Sequence, residues 1–241
     1  MGESLFIADL HLAPERPATI ERFLGFLDGR ARRAERLFIL GDLFDAWIGD
    51  DDDAPPYARI RSALRALSAS GVSCLLMHGN RDFLIGRRFA RDTGCRLLAD
   101  PHRTDLAGAP TLLMHGDLLC TGDLAYQRFR RRVRNPLVRR LFLWKPLERR
   151  RAIAADYRRR SGAATAIKAE TIMDVNPSEV ERRLRRSGAT RLIHGHTHRP
   201  ADHHFELDGR AVSRLVLADW HEDRGEALVV SADGVRREGL T

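Results

Sequence analysis

Cysteine is scarce in the 241 residues: only Cys74, Cys95 and Cys120 occur. They are odd in number, scattered and without CxxC spacing, which excludes a disulfide framework and a zinc knuckle and predicts buried thiols. No apolar run reaches the roughly 18 residues that a membrane-crossing helix needs. The chain passes from Met1 into the strand-like SLFIA without a basic lead-in, so a cytoplasmic protein is expected. Internal repeats and low-complexity linkers are lacking as well. What is present suffices for a large core: 43% of the residues are hydrophobic, enough for one domain over 1–241 that carries an insertion.

The net charge of +8 points to an anionic partner, and its distribution narrows the choice. From Arg128 to Arg160 there are 14 Lys and Arg against Glu148 and Asp156, a net of +12. The basicity belongs to one segment, and the remaining chain is mildly acidic.

Five apolar, β-rich runs each end in a side chain able to hold a metal. SLFIAD leads to Asp9-Leu10-His11, RLFILGD to Asp42, SCLLMHGN to Asn80, TLLMHGD to His115, and RLIHGHTH to His196 and His198. Four of the five have glycine beside that residue, which permits sharp turns and close backbone approach. Helix-like periodicity separates the first runs, over Ala18 to Arg33 and Ala58 to Ser70, with Ile60, Ala63, Leu64 and Leu67 on one face. Strand alternating with helix predicts a layered α/β domain whose ligands gather beyond the carboxyl ends of the strands. After Arg191 the chain turns β-rich, with Asp208-Gly209 and Asp233-Gly234 as turn signals, and a second sheet closing the fold is expected there.

The candidate set is Asp9, His11, Asp42, Asn80, His115, His196 and His198, which are carboxylates, imidazoles and one amide without a thiolate. That mixture suits Mn²⁺, Fe²⁺ or Zn²⁺. Seven ligands exceed the needs of one ion. Two ions about 3.5–4 Å apart, bridged by one carboxylate, would use them all and would clamp a phosphoryl group without a nucleophilic side chain from the protein. His194 and His78 precede glycines on the apolar runs and are read as structural or as supports for the ligands, and His203 and His204 as strand-surface residues.

DLH, GDLFD, GNRD, HGD and GHTH, in this order, resemble the signature of calcineurin-like metallophosphoesterases. The resemblance runs from Leu5 to about Trp220, and the ordered set is far more specific than any one motif. It implies a two-sheet β-sandwich flanked by helices, here with a helical, arginine-rich insertion cap at 122–170. It also implies that Asp9, His11 and His198 hold one metal, that Asn80, His115 and His196 hold the other, and that Asp42 bridges. Many members carry GNHE or GNHD, whereas this chain has Gly79-Asn80-Arg81-Asp82. Arginine cannot give up a proton at ordinary pH but binds phosphate oxygens through paired hydrogen bonds. A leaving group that needs little protonation follows, such as a phosphate monoester leaving a pyrophosphate.

GNRD, together with IMDVNPSEV and LIHGHTHRP, resembles the subgroup that hydrolyses UDP-2,3-diacylglucosamine in lipid A synthesis. Its products are UMP and 2,3-diacylglucosamine 1-phosphate. Under this resemblance Asp42, Asn80, Arg81 and His115 are catalytic, and Asn80, Arg81, Asp123, Ser161, Thr165, Lys168 and His196 contact the substrate. Thr165 departs from the amide that the resemblance leads one to expect. Water is expected to attack the phosphorus next to uridine, with Mn²⁺ as the metal, on the cytoplasmic side of the inner membrane.

RFRRRVRNPLVRRLFLWKPLERRR admits three readings. It could be a helical pair whose apolar face packs on its own domain. It could bind nucleic acid through arginines and stacking aromatics, a reading that one Trp and two Phe among many aliphatics disfavour. It could be an amphipathic cap on an anionic membrane that shelters acyl chains, broken into short helices by Pro136 and Pro146. A nuclease or general phosphodiesterase on the same core, and a scaffold without catalysis, are the competing functions, the latter disfavoured because every ligand position is filled.

Overall fold

The computed structural model describes residues 2–167 and 174–240, with the side chains of 160–167 left aside. Eleven strands form two sheets among the described residues. The first has the order β11 (Gly234–Leu240), β10 (Gly225–Ser231), β1 (Ser4–Ile7), β2 (Arg36–Leu40), β3 (Ser73–Met77), β4 (Arg96–Leu98). The second has the order β5 (His102–Leu106), β6 (Ala109–Met114), β7 (Arg191–His194), β9 (Arg210–Val216), β8 (Ala201–Leu207). Strands β1 to β4 run parallel, as do β6, β7 and β9, so all five ligand-bearing strands present their carboxyl ends to the same side.

Alternation along each central strand sorts its apolar residues between two faces. Phe6, Ala8, Phe38, Leu40, Leu75 and Met77 meet Leu113, Ile193 and Leu215 of the other sheet, with Phe6 stacked on Phe38 at 4.6 Å. Leu5, Ile7, Leu37, Ile39, Cys74 and Leu76 face helices α1 (Pro17–Asp28), α2 (Pro55–Ala69) and α3 (Arg87–Thr93). Being buried on both faces is why these strands read as continuous apolar runs rather than alternating ones. All three cysteines are buried free thiols.

Two expectations change. The β-rich end does not form a sheet of its own: β10 and β11 extend the first sheet beside β1, and β8 and β9 join the second beyond β7. Turn chemistry signals hairpins but carries no information on which sheet edge receives them. The Asp208-Gly209 turn does form, with φ of 51° and 73°, the left-handed pair that a tight hairpin requires. The first helical stretch also ends at Asp28, and residues Arg30–Arg33 continue as a separate 3-10 turn after Gly29.

The arginine-rich segment consists of α4 (Leu124–Val133), α5 (Pro136–Leu143) and α6 (Leu147–Ile167). Pro136 opens α5 behind the Asn135 cap, whose side chain accepts from Leu137 N, and Pro146 separates α5 from α6. Helix α7 (Pro177–Ser187) returns to the sandwich, capped by Asn176, and packs Val180 and Leu184 against Leu112, Met114 and Leu192.

Trp220 locks the first sheet to α1: it is 1% exposed and meets Phe23 and Phe26 edge-on at 6.2 and 5.6 Å. Trp144, on the outside of the cap, is 68% exposed. Trp220→Ala is expected to cost about 3–5 kcal/mol in urea unfolding, whereas Trp144→Ala should change stability by no more than about 0.5 kcal/mol.

Candidate metal and substrate site

The ligand turns depend on backbone that ordinary residues avoid. Asp9, His11, Asp42, His196 and His198 all lie at positive φ, between 49° and 73°. Such strain costs on the order of 1 kcal/mol per residue and persists where surrounding structure imposes it. Here the imposing structure is a lattice of turn-to-turn hydrogen bonds. Asp9 N donates to Gly41 O, His11 N to Asp42 O and Gly195 N to His115 O, at 3.1, 3.0 and 2.8 Å. The turns after β1, β2, β6 and β7 are thereby held edge to edge.

Two groups of possible ligands result. Asp9, His11 and His198 form one, and Asp9, Asp42 and His115 the other, each with donor atoms within 4.8 Å of one another. Asp9 thus belongs to both, while Asp42 Oδ2 lies 3.9 Å from both His11 Nδ1 and His115 Nε2, between the two groups. Asn80 Oδ1 is 2.9 Å from His115 Nε2, and the His196 ring centre is 5.0 Å from that of His115. All seven residues named from the motifs converge on one region.

The donor arrangement fits cations. His115 Nδ1 donates to the Leu40 carbonyl at 2.9 Å, so its Nε2 faces the Asn80 oxygen, another acceptor, which only a proton or a cation between them can reconcile. Asp9 Oδ1 and His11 Nδ1 are buried without a hydrogen-bond partner. Gly79 leaves room for this packing, since a Cβ there would stand 2.0 Å from Asp42 Oδ1. Carboxylate, imidazole and amide donors suit two divalent ions of intermediate hardness.

Electrostatics agree with that fit. Burial pushes the Asp42 carboxyl up to about 7 against the opposing charge of His115, with Asp82 and Asp9 adding to the rise. For Asp9 burial works in the same direction but loses to His198, whose Nε2 lies 3.6 Å from Oδ1, and to the charges of His115 and His11, which hold the carboxyl well below its usual range. Burial disfavours charge on His115 too, yet Asp42, Asp9 and Asp117 raise it to about 9. The carboxylates thus draw positive charge to the centre. Burial lowers His11 to about 3 and His196 to about 4, keeping them in the neutral form that ligates.

Around the ligands stand residues that motif reading left without roles. Asp82 is fully buried and accepts from Gly79 N and Leu43 N at 2.7 and 2.8 Å, tying the Asn80 turn to the Asp42 turn. Its place at the end of GNRD was the available signal. Asp219 lies 3.4 Å from His198 Nδ1 and accepts from His221 at 2.8 Å, the usual way a carboxylate orients a ligating imidazole. Arg16 binds the carbonyls of Leu10, His11 and Trp220. No sequence pattern marks either residue. His194 is fully buried against the Gly195 carbonyl, His78 meets the Ile85 carbonyl at 2.7 Å, and His203 and His204 are exposed on β8.

A cavity of about 740 Å³ opens above the ligands and continues beneath the cap. His11, Asp42, Asn80, Arg81, His196 and His198 line one part, and Phe129, Val133, Val138, Phe142, Ile153 and Tyr157 the other. Arg81 Nη1 and Arg158 Nη1 grip the two oxygens of Asp45 at 2.8 and 2.7 Å. Asp123 lines the cavity and caps α4 through Tyr126 N at 3.0 Å. Ser161 and Thr165 fall on α6, but their side chains, and Lys168 altogether, lie outside the described residues.

The chain matches the calcineurin-like phosphoesterase family over residues 4–200. It is 54% identical to the UDP-2,3-diacylglucosamine hydrolase of Pseudomonas paraeruginosa, over 97% of each chain. It is 51% identical to the protein of the same name from Serratia proteamaculans, over 96% of each.

Gly79→Ala is expected to displace the Asp42 carboxylate and strip the centre of metal while leaving the circular dichroism spectrum intact. Metal content after dialysis, read by elemental mass spectrometry, checks this; a fully loaded variant would contradict the packing described for Gly79.

Proposed function

The chain belongs to the calcineurin-like phosphoesterase family, and on that premise we propose that it hydrolyses UDP-2,3-diacylglucosamine to UMP and 2,3-diacylglucosamine 1-phosphate. The observation that carries the reading is a cavity that joins a polar, metal-competent floor to an apolar chamber under the cap. A nucleotide-linked diacyl glycolipid has those two characters in one molecule. The pyrophosphate lies on the floor, and the acyl chains enter among Phe129, Val133, Val138, Phe142 and Ile153.

Asp9, His11, Asp42, Asn80, His115, His196 and His198 would hold two divalent cations, with Mn²⁺ as the assigned metal. When bound, such ions neutralise charge on the phosphate and increase the acidity of water. Arg81 supplies the contact to the pyrophosphate oxygens, its guanidinium held at the cavity wall by Asp45. Because arginine stays charged, it does not protonate the departing group. The sugar 1-phosphate leaves without help, since it departs as a stable phosphate monoester. In this reading water supplies the new oxygen on the phosphorus next to uridine, and the bridging oxygen departs with the sugar phosphate. Asn80, Arg81, Asp123, Ser161, Thr165, Lys168 and His196 are assigned to the substrate.

The outer face of α5 supports action at an anionic membrane, on the cytoplasmic side of the inner membrane. Leu137, Leu141 and Trp144 are 70%, 58% and 68% exposed, and the Arg140 guanidinium lies 4.8 Å over the Trp144 ring. Apolar side chains among arginines suit a lipid surface. None of the described helices is long and apolar enough to cross the bilayer. Four of the fourteen cations between Arg128 and Arg160 are committed internally: Arg130, Arg150, Arg151 and Arg158 pair with Asp117, Asp51, Asp52 and Asp45. Those four are withdrawn from any nucleic-acid groove.

Incubation with UDP-2,3-diacylglucosamine and Mn²⁺ should yield UMP and the sugar phosphate by mass spectrometry. Chelator, or Asp42→Ala, should abolish both products. Cleavage of a generic phosphodiester with the lipid left intact would instead favour a nuclease or broad phosphodiesterase. In ¹⁸O water the label should appear in UMP, and label in the sugar phosphate would reverse the assigned point of attack.

A further inference from the structure

Beside Asp9, Asp42 and Asp82 a further carboxylate, Asp117, is buried without any exposed surface. It closes the His115-Gly116-Asp117 turn and is engaged from the cap side. Its Oδ2 accepts from the Tyr126 hydroxyl and from Arg130 Nε, both at 2.6 Å, with Arg134 Nη2 3.8 Å away. Gln127 Nε2 donates to the main-chain carbonyls of Asp117 and Cys120, at 2.8 and 3.2 Å. Tyr126, Arg130 and Arg134 recur every four residues, so one face of α4 and its carboxyl end make all these contacts.

The same face also reaches the second metal turn. Arg134 Nη2 donates to Gly79 O at 2.7 Å, one residue before Asn80, and its guanidinium lies 5.7 Å over the Phe83 ring. Helix α4 buries none of its residues fully, and its apolar contact is limited to half-buried side chains such as Phe129, stacked on Tyr157 at 4.5 Å. A buried carboxylate, by contrast, is costly unless its charged partners are present. Asp117 Oδ2 is therefore partnered only when α4 is seated, while Oδ1 is buried without a hydrogen bond, and Tyr126, Phe129 and Val133 then form the cavity wall.

We propose that Asp117 is a positioning residue for the hydrolysis: it seats α4 across the His115 and Asn80 turns and so sets the cap wall against the reacting end of the substrate. This rests on the hydrolase reading above. The role differs from that of a ligand support such as Asp219, because its partners belong to the cap and not to an imidazole.

The test compares the full-length wild type, Asp117→Asn, Arg130→Gln and the double variant, each loaded with Mn²⁺. Steady-state hydrolysis of UDP-2,3-diacylglucosamine, bound metal, and amide hydrogen exchange over Leu124–Val133 are measured on all four. Each single substitution is expected to raise KM by about 10- to 100-fold, the scale on which misplaced binding groups act. Exchange over Leu124–Val133 should accelerate while metal content stays at the wild-type value. The double variant should be no worse than the worse single, since both remove one contact. If Asp117→Asn does not fold, Arg130→Gln, altered outside the sandwich core, decides. Wild-type KM and exchange in Arg130→Gln would overturn the proposal. Metal loss with unchanged exchange in Asp117→Asn would overturn it too, assigning Asp117 to the metal turn alone. A wild type inactive on the lipid would sink the hydrolase reading, and the exchange comparison would still decide whether Asp117 seats α4.

Discussion

Two carboxylates buried at the joint of two sheets are the constraint from which the rest of the structure follows. Asp9 and Asp42 are 0% and 2% exposed. Removing such groups from water costs several kcal/mol each unless they are paired and hydrogen-bonded. Main-chain donors meet part of the need: His196 N binds Asp9 Oδ2 at 2.7 Å, and Arg81 N binds Asp42 Oδ1 at 2.8 Å. Those donors come from turns after β7 and β3, on different sheets. The Asp42 donor belongs to its own sheet, but the Asp9 donor belongs to the other, so the sandwich must bring both sheets' carboxyl ends together before Asp9 is tolerable. Imidazoles and cations complete the compensation, which explains why histidine recurs on the turns and why five of the ligand residues accept left-handed backbone.

The same logic extends outward to the cap. A segment of net +12 set over an acidic floor is not repelled by its own charge, because its inward arginines end on carboxylates of the sandwich. Arg150, 3% exposed, binds Asp51 and the Ile48 carbonyl at one end, and Arg130 binds Asp117 at the other. Between these anchors α5 carries apolar side chains on its outer face, while Phe142 and Val138 turn to the cavity. Charge fastens the cap and apolar surface defines its two faces. Part of the arginine count thus reflects docking of the cap onto the sandwich.

Much of this was legible in the chain. Five apolar runs ending in Asp9, Asp42, Asn80, His115 and His196 carry a short-range signal, because strand and turn chemistry are local. The ordered motifs named the residues that converge for the same reason: each sits within two residues of a glycine or another of the set. Pro136 and Pro146 likewise divided the basic segment into helices, since proline acts on its immediate neighbours. What escaped was long-range. Asp219 comes 21 residues after His198 in no recognisable pattern, Asp45 becomes meaningful only when Arg158 arrives from the cap, and Asp117 looked like the end of a motif rather than a socket for α4.

The sequence by itself determined the fold class, the family, the seven candidate ligands and the chemistry that such donors support, because these depend on residue type and local spacing. Tertiary structure alone decided that the C-terminal hairpins divide between the two sheets and that Asp9 is near both ligand groups. It also decided that the cap encloses an apolar chamber continuous with the metal floor. Each of these rests on contacts between residues far apart in the chain, where the energy lies in burying shared surface and pairing distant charges, and no local pattern encodes the partner.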